Sequence, residues 1–168
     1  MISHKMRLFF LVAGIFVSRF AHGEIIKDCD LIRHAKKEGA FDPRLVLAIT
    51  DIESSKNSKV ISKQGRSIHY GLMQIKPATA RLVGFRGDTA DLLDWKTNVK
   101  YGVRYLNQKL KRYKSKQAAA AAYNAGAAFP CKTMQKCHLG EFANQRYVDL
   151  VMDRYQRKIK CGSVVASK

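Results

Sequence analysis

Apolar residues recur at helical spacing along most of this chain. Leu45, Ile49 and Ile52 make one stripe, and Val99, Val103, Leu106, Leu110 and Tyr113 make a longer one. Tyr147, Val151 and Tyr155 make a third. Local signals bound the helices that carry these stripes. Asp42-Pro43 places an N-cap before a proline at the first helical position, which predicts a helix running to about Ser55. Asp94 caps the long helix over 95–113, and Ser115 caps an alanine-rich helix that should end near Gly126. A first helix over 29–38 stops at Gly39, and a brief one runs from Pro77 to Gly84. The last helix is expected over 143–159. Small side chains in the alanine-rich helix allow close approach, so that helix should be central.

One stretch breaks the pattern. Ile68, Tyr70 and Leu72 alternate, and Gly65 interrupts a β-branched region, so a short hairpin is expected within 60–75. The fold class is therefore α+β, mainly α: one domain with a single small β element.

Charge changes the picture. The 168 residues hold 31 Lys and Arg against 13 Asp and Glu, a formal +18. Such a balance concerns partners rather than fold. Nucleic acid, anionic membrane and anionic cell envelope are the candidates. The positive residues are scattered, and the densest stretch, Lys109 to Lys116, falls at a helix end where cations suit the dipole.

The N-terminus narrows the choice. Lys5 and Arg7 precede an uncharged run over 8–17, and Ala21-His22-Gly23 supplies small residues for cleavage. That is the layout of a secretory signal, predicted to be removed after about Gly23 and to leave a periplasmic or exported chain over 24–168. The run is too short to span a bilayer comfortably, and no membrane segment is expected in the mature chain. Lys5, Arg7 and Arg19 would leave with the signal and no acid would, so the domain keeps +15. Four cysteines remain, Cys29, Cys131, Cys137 and Cys161, and after export they should form two disulfides. Three pairings are possible. Cys131–Cys137 closes a short loop and Cys29–Cys161 ties the ends together, and that pairing is favoured. A metal on Cys131, Cys137 and His138 would need a fourth ligand and an unusual spacing, so no metal or cofactor is expected.

Glu53 is the chemical anomaly. It follows Ile49 by four residues and Leu45 by eight, so it extends a buried apolar stripe near a helix C-terminus. Burial and the negative helix end both disfavour its charged form. A carboxyl that keeps its proton near neutral pH suits a general acid. The alternative is a glutamate that reaches solvent at a fraying helix end. Neither a Gly-rich phosphate loop nor a nucleophile elbow is present.

These residues resemble a family. Ala48-Ile49-Thr50-Asp51-Ile52-Glu53-Ser54 is similar to the Glu-Ser motif of the goose-lysozyme-like lytic transglycosylases. Gly71-Leu72-Met73-Gln74-Ile75, with Pro77 and Thr79-Ala80, is similar to their Gly-Leu-Met-Gln segment. Asn98, Gly102 and Tyr105-Leu106 match their Asn-x3-Gly-x2-Tyr-Leu helix, Ala122-Tyr123-Asn124-Ala125-Gly126 their Ala-Tyr-Asn-Ala-Gly segment, and Tyr147-Val148 their closing helix. The resemblance implies a lysozyme-like domain with a glycan cleft. It implies cleavage of the β-1,4 bond between N-acetylmuramic acid and N-acetylglucosamine in peptidoglycan, closing a 1,6-anhydro ring. Glu53 would be the catalytic residue. Ser54, Met73, Gln74, Tyr123 and Asn124 would serve the substrate: Met73 and Gln74 on the cleft wall, Tyr123 beside the carboxyl, Asn124 fixing backbone.

The separation of Glu53 from Gln74 is longer than in the commoner members. It is closer to small members that accompany secretion and pilus machines. His69 and Tyr70 stand where such members often carry an acid, and the 131–140 stretch is individual. The rival readings are a hydrolytic muramidase and a non-catalytic, cationic peptidoglycan-binding scaffold. A nucleic-acid binder is disfavoured by export and by the lack of a recognisable motif.

Overall fold

A computed structural model of the chain describes residues 23–130, 141–159 and 161. The expected signal over 1–23 lies, apart from Gly23, outside the described residues, and so do Cys131, Cys137 and their expected disulfide. Six helices and one hairpin follow in order: α1 (Asp28–Lys37), α2 (Pro43–Ser54), β1 (Ile61–Gln64), β2 (Ser67–Tyr70), α3 (Pro77–Leu82), α4 (Trp95–Tyr113), α5 (Lys116–Ala125) and α6 (Gln145–Gln156). A 3₁₀ turn at Thr89–Leu93 precedes α4.

The caps act as their sequences require. The Asp42 carboxylate accepts from the backbone N–H of Arg44 and Leu45, Asp94 from Thr97, and Ser115 from Ala118. The sheet is antiparallel, with Ile61 opposite Tyr70 and Gln64 opposite Ser67. Helix α6 is shorter at both ends than its periodicity suggests. The 3₁₀ turn was not expected; a capping box between Asp88 and Asp91 holds it.

Helix α2 is buried on almost every side: Leu45 through Thr50 have at most 2% of their surface exposed. Leu31 and Ala35 of α1, Val99, Val103 and Leu106 of α4, Ala120 and Tyr123 of α5 and Val151 of α6 complete one core around it. Residues 119–122 of α5 are equally enclosed. A second cluster, Ile75, Ala80, Phe85 and Leu92, supports α3 and the hairpin. Gly102 is required where α4 meets the chain after β2, because a Cβ there would lie 2.2 Å from the Met73 sulfur.

The two ends of the described chain are clamped together. Cys29 and Cys161 form a disulfide. Beside it, Asp28 pairs with Lys56 at 2.6 Å and with Arg154 at 3.0 Å, and Arg154 also reaches Asp51 at 2.5 Å. These contacts join α1, the end of α2 and α6. They also give Asp51 a structural partner on the side of α2 away from Glu53.

No helix among the described residues is long and apolar enough to cross a membrane. Cys161→Ser should lower stability by about 2–4 kcal/mol, because the crosslink closes a long loop in the unfolded chain. Chemical denaturation of the oxidised protein and the variant measures this.

Candidate active site

Five successive carbonyls, those of residues 70–74, define the site. Each is held by a different side chain. The Asn98 amide donates to Tyr70 O at 2.7 Å. The Gln74 amide donates to Gly71 O at 2.8 Å. The Ser54 hydroxyl donates to Leu72 O and the Tyr123 hydroxyl to Met73 O, both at 2.8 Å. His69 Nδ1 lies 3.2 Å from Gln74 O. A carbonyl only accepts, so His69 carries its proton on Nδ1 in this contact. Asn98 does more: its oxygen accepts from Met73 N–H, and its amide also reaches Leu92 O.

The backbone here needs such support. Gly71 and Gln74 have φ of +69° and +45°. Glycine adopts that region freely, whereas glutamine does so at a cost. At Gly71 a Cβ would also meet Leu92 O at 2.5 Å. Tyr70 and Ile75 exchange backbone hydrogen bonds across the turn, which returns the chain toward α3.

Glu53 faces this turn from the penultimate position of α2. It is one wall residue of a cleft of about 350 Å³. The other walls are Ser62, Gln64 and His69 of the hairpin, residues 74–76 with Thr79, Tyr105 of α4, and residues 123–126. Glu53 is the only carboxylate among those lining residues. Burial pushes its pKa from the ordinary 4.5 up to about 7, and a hydrogen bond from Tyr147 opposes that rise in part. The Tyr147 hydroxyl donates to Glu53 Oε1 at 2.7 Å. Tyr147 and Tyr123 are held well above the ordinary phenol value, first by burial and next by the Glu53 charge, so both remain donors. The carboxyl thus titrates near neutrality beside a fixed O–H.

The residues assigned by resemblance take distinct places. Gln74, Tyr123 and Asn124 line the cleft with Glu53. The Gln74 amide is committed to Gly71 O and Val60 O, and its oxygen accepts from Ser62 at 2.6 Å. The Asn124 oxygen accepts from Asn144 at 2.9 Å. Ser54 is buried beneath the turn. Met73, expected on the cleft wall, has no exposed surface: it fills the space over Gly102. Tyr123, expected to orient the carboxyl, instead donates to Met73 O. The phenol on the carboxyl is Tyr147. Its signal was present in the sequence: a tyrosine on an apolar stripe must find a partner for its hydroxyl.

Comparison with known proteins places this arrangement. The family model described as the transglycosylase SLT domain matches residues 30–139. The chain belongs to that family. Relatives of this SLT chain include an endo-type membrane-bound lytic murein transglycosylase A of Klebsiella pneumoniae, 39% identical over 83 residues. That match covers 44% of this chain and 39% of the relative. A transglycosylase of Enterobacteria phage PRD1 is 31% identical over 120 residues, covering 66% of this chain and 43% of the phage protein. The chain therefore spans less than half the length of these curated relatives. Among solved structures, the 70 kDa soluble lytic transglycosylase of Escherichia coli matches at 30% identity and a TM-score of 0.52, over 58% of this chain and 16% of that one. An inactive glutamate-to-glutamine mutant of a Pseudomonas aeruginosa lytic transglycosylase matches at 26% identity and 0.53, over 78% and 21%. The SLT fold, mainly helical with a small antiparallel hairpin, is shared with these lysozyme-like domains.

Two outcomes follow from the geometry. Asn98→Ala removes the acceptor of Met73 N–H, a donor to Leu92 O and one of two donors to Tyr70 O, and should cost about 3 kcal/mol, read by thermal or urea unfolding. The second concerns pH. Below 4.5 Glu53 is protonated whether folded or not. As pH rises the unfolded chain releases this proton first, so the folded state loses relative stability until pH passes about 7. Glu53→Gln should abolish that loss. The variant should be more stable than the unaltered chain at pH 8, by roughly 3 kcal/mol, and should have little advantage near pH 4. Denaturation across pH tests the sign.

Proposed function

We propose that this chain is a peptidoglycan lytic transglycosylase that cleaves the β-1,4 bond from N-acetylmuramic acid to N-acetylglucosamine without water. The carrying observation is Glu53: a carboxyl titrating near 7 at the wall of a cleft, with no second carboxylate among the lining residues. A two-carboxylate glycosidase mechanism needs a nucleophile or a base besides the acid. A single carboxyl suffices if it acts twice.

In the first step the protonated Glu53 gives its proton to the glycosidic oxygen, and the bond to muramoyl C1 breaks. The sugar is left with oxocarbenium character, and Glu53 becomes a carboxylate. The Tyr147 hydroxyl, donating to Oε1, steadies that charge. In the second step the carboxylate takes the proton from the muramoyl C6 hydroxyl, whose oxygen attacks C1. The 1,6-anhydro ring closes, Glu53 regains its proton, and no water is consumed. Gln74, Tyr123 and Asn124 would contribute cleft surface, while Ser54 and Met73 would act from beneath the turn. No cofactor enters either step.

The relatives' printed names concern lytic murein cleavage, and one similar solved protein is an inactive glutamate-to-glutamine mutant. Both accord with this reading. We further propose that residues 1–23 are a cleaved signal, that 24–168 form the catalytic domain, and that the chain acts on the wall after export. Local remodelling for a secretion or pilus machine is the role in keeping with its long Glu53–Gln74 spacing.

The test is Glu53→Gln with purified peptidoglycan. The variant should bind yet cleave at least about a hundredfold more slowly. Products of the unaltered chain should be anhydro-muropeptides, each one water lighter than a hydrolytic product, as read by mass spectrometry. Reducing-end muramic acid would make the chain a hydrolase. Undiminished cleavage by the variant would remove Glu53 from the mechanism. Binding without cleavage by either protein would leave a scaffold.

A further inference from the structure

Helix α4 carries a charge pattern that works against its own stability. It holds Lys96, Lys100, Arg104, Lys109, Lys111 and Arg112, and neither Asp nor Glu. Lys96, Lys100 and Arg104 follow one another at four-residue spacing, so like charges stack along one face. Lys96 also lies in the first turn, where the helix dipole disfavours a cation. An ordinary solvated face would intersperse acids at the same spacing. Two more cations, Arg81 and Arg86, come from α3 and the loop that follows it.

Among the described residues none of these five, Lys96, Lys100, Arg104, Arg81 and Arg86, is ion-paired with a carboxylate. The acids of the same stretch have other duties. Asp88 and Asp91 cap the 3₁₀ turn, and Asp94 caps α4. The guanidinium groups, in contrast, are already ordered. Arg104 lies over the Tyr101 ring at 5.1 Å and donates to Val83 O. Arg81 lies over Phe85 at 6.0 Å, and Arg86 donates to Phe85 O at 3.1 Å. Phe85 and Tyr101 pack edge to face. Each of these arginines is steadied by a ring or a carbonyl. Arg104 and Arg86 have further N–H groups that can donate to a carboxylate in a planar fork.

The surface adjoins the cleft along α4. Tyr105 lines the cleft, and Tyr101, one turn back on the same helix face, packs against the Arg104 guanidinium and against Phe85. From Tyr105 to Lys96 the helix rises about 13 Å. An extended peptide of about four residues spans a similar distance.

We infer that Lys96, Lys100 and Arg104, with Arg81 and Arg86, form a docking surface for the carboxylates of peptide stems borne by the glycan strand in the cleft. This rests on the peptidoglycan reading above. A phospholipid surface is the competing polyanion. Fixed, forked guanidinium groups within one stem's reach of the cleft favour the stem.

The experiment is sedimentation binding to insoluble peptidoglycan in the Glu53→Gln background, which prevents digestion. One sample is native, and one has its stem carboxylates converted to neutral amides with carbodiimide and methylamine. A third arm uses phosphatidylglycerol vesicles. At low salt, amidation should weaken binding about tenfold, the sum expected of several exposed ion pairs. Arg86→Gln/Lys100→Gln/Arg104→Gln should weaken binding to native material to the same level and add no loss on amidated material. The amidated arm needs no surface variant, so a folding defect in the triple variant cannot decide the matter. Equal binding to native and amidated material would overturn the inference, as would vesicle binding that depends on the same three residues while wall binding does not. Failure to bind either form of peptidoglycan would instead strike the functional reading itself.

Discussion

A carbonyl buried without a donor is costly, and this fold turns that cost into geometry. The chain over 70–74 reverses direction through two positive-φ residues and cannot satisfy its carbonyls by regular structure alone. Asn98, Gln74, Ser54, Tyr123 and His69 do it instead, from α4, the turn itself, α2, α5 and β2. Four separate elements are thereby fastened to one short turn. Backbone N–H groups reach the carbonyls of Tyr70 and Gly71 as well, and the side chains supply the remaining donors that fix the turn beside Glu53. His69 completes the set at some expense: its Nε2 is buried with no partner, and burial and the nearby Lys76 charge keep the ring's pKa low.

The same logic separates scaffold from chemistry. Most polar motif residues are committed to backbone, whereas the Glu53 carboxyl takes its hydrogen bond from a side chain, the Tyr147 hydroxyl. A carboxyl on an apolar helix face is a poor choice for stability and a good one for proton transfer. The domain tolerates it because α2 is otherwise enclosed by apolar packing and because Asp51, on the other side of the helix, is satisfied by Arg154 and Lys56. Two acids two residues apart thus have opposite fates, decided by which neighbours each one faces.

Much of this was legible beforehand, where the signal was local. Asp42-Pro43, Asp94 and Ser115 mark helix starts because an N-cap is a hydrogen bond between near neighbours. Gly65 marks the hairpin for similar reasons. The stripe that carries Glu53 leaves two readings open, a buried carboxyl or a glutamate that reaches solvent, and the structure places the carboxyl part-buried at the cleft wall. The Cys29–Cys161 bond also matches its expected pairing, while the second pairing lies outside the described residues. What failed to show was long-range. Nothing in the spacing says that the Tyr123 hydroxyl goes to Met73 O while the Tyr147 hydroxyl, ninety-four residues from Glu53, goes to the carboxyl. Met73 reads as a cleft residue until Gly102 is seen to leave room for it. The 3₁₀ turn escaped because its two aspartates cap a segment too short to have a period.

The bond between Cys29 and Cys161 brings their Cα atoms to 5.5 Å, although 132 positions separate them. With that bond in place the polypeptide between them is a closed ring with a single neck. The segment before Cys29 does not leave the domain at that neck: Ile26 is buried and donates its N–H to Lys56 O, and Glu24 O accepts from Ser58 N–H. The ring is thus latched twice at one place. Reduction of the crosslink opens the ring without releasing its N-terminal edge, which backbone hydrogen bonds still hold to the chain after α2.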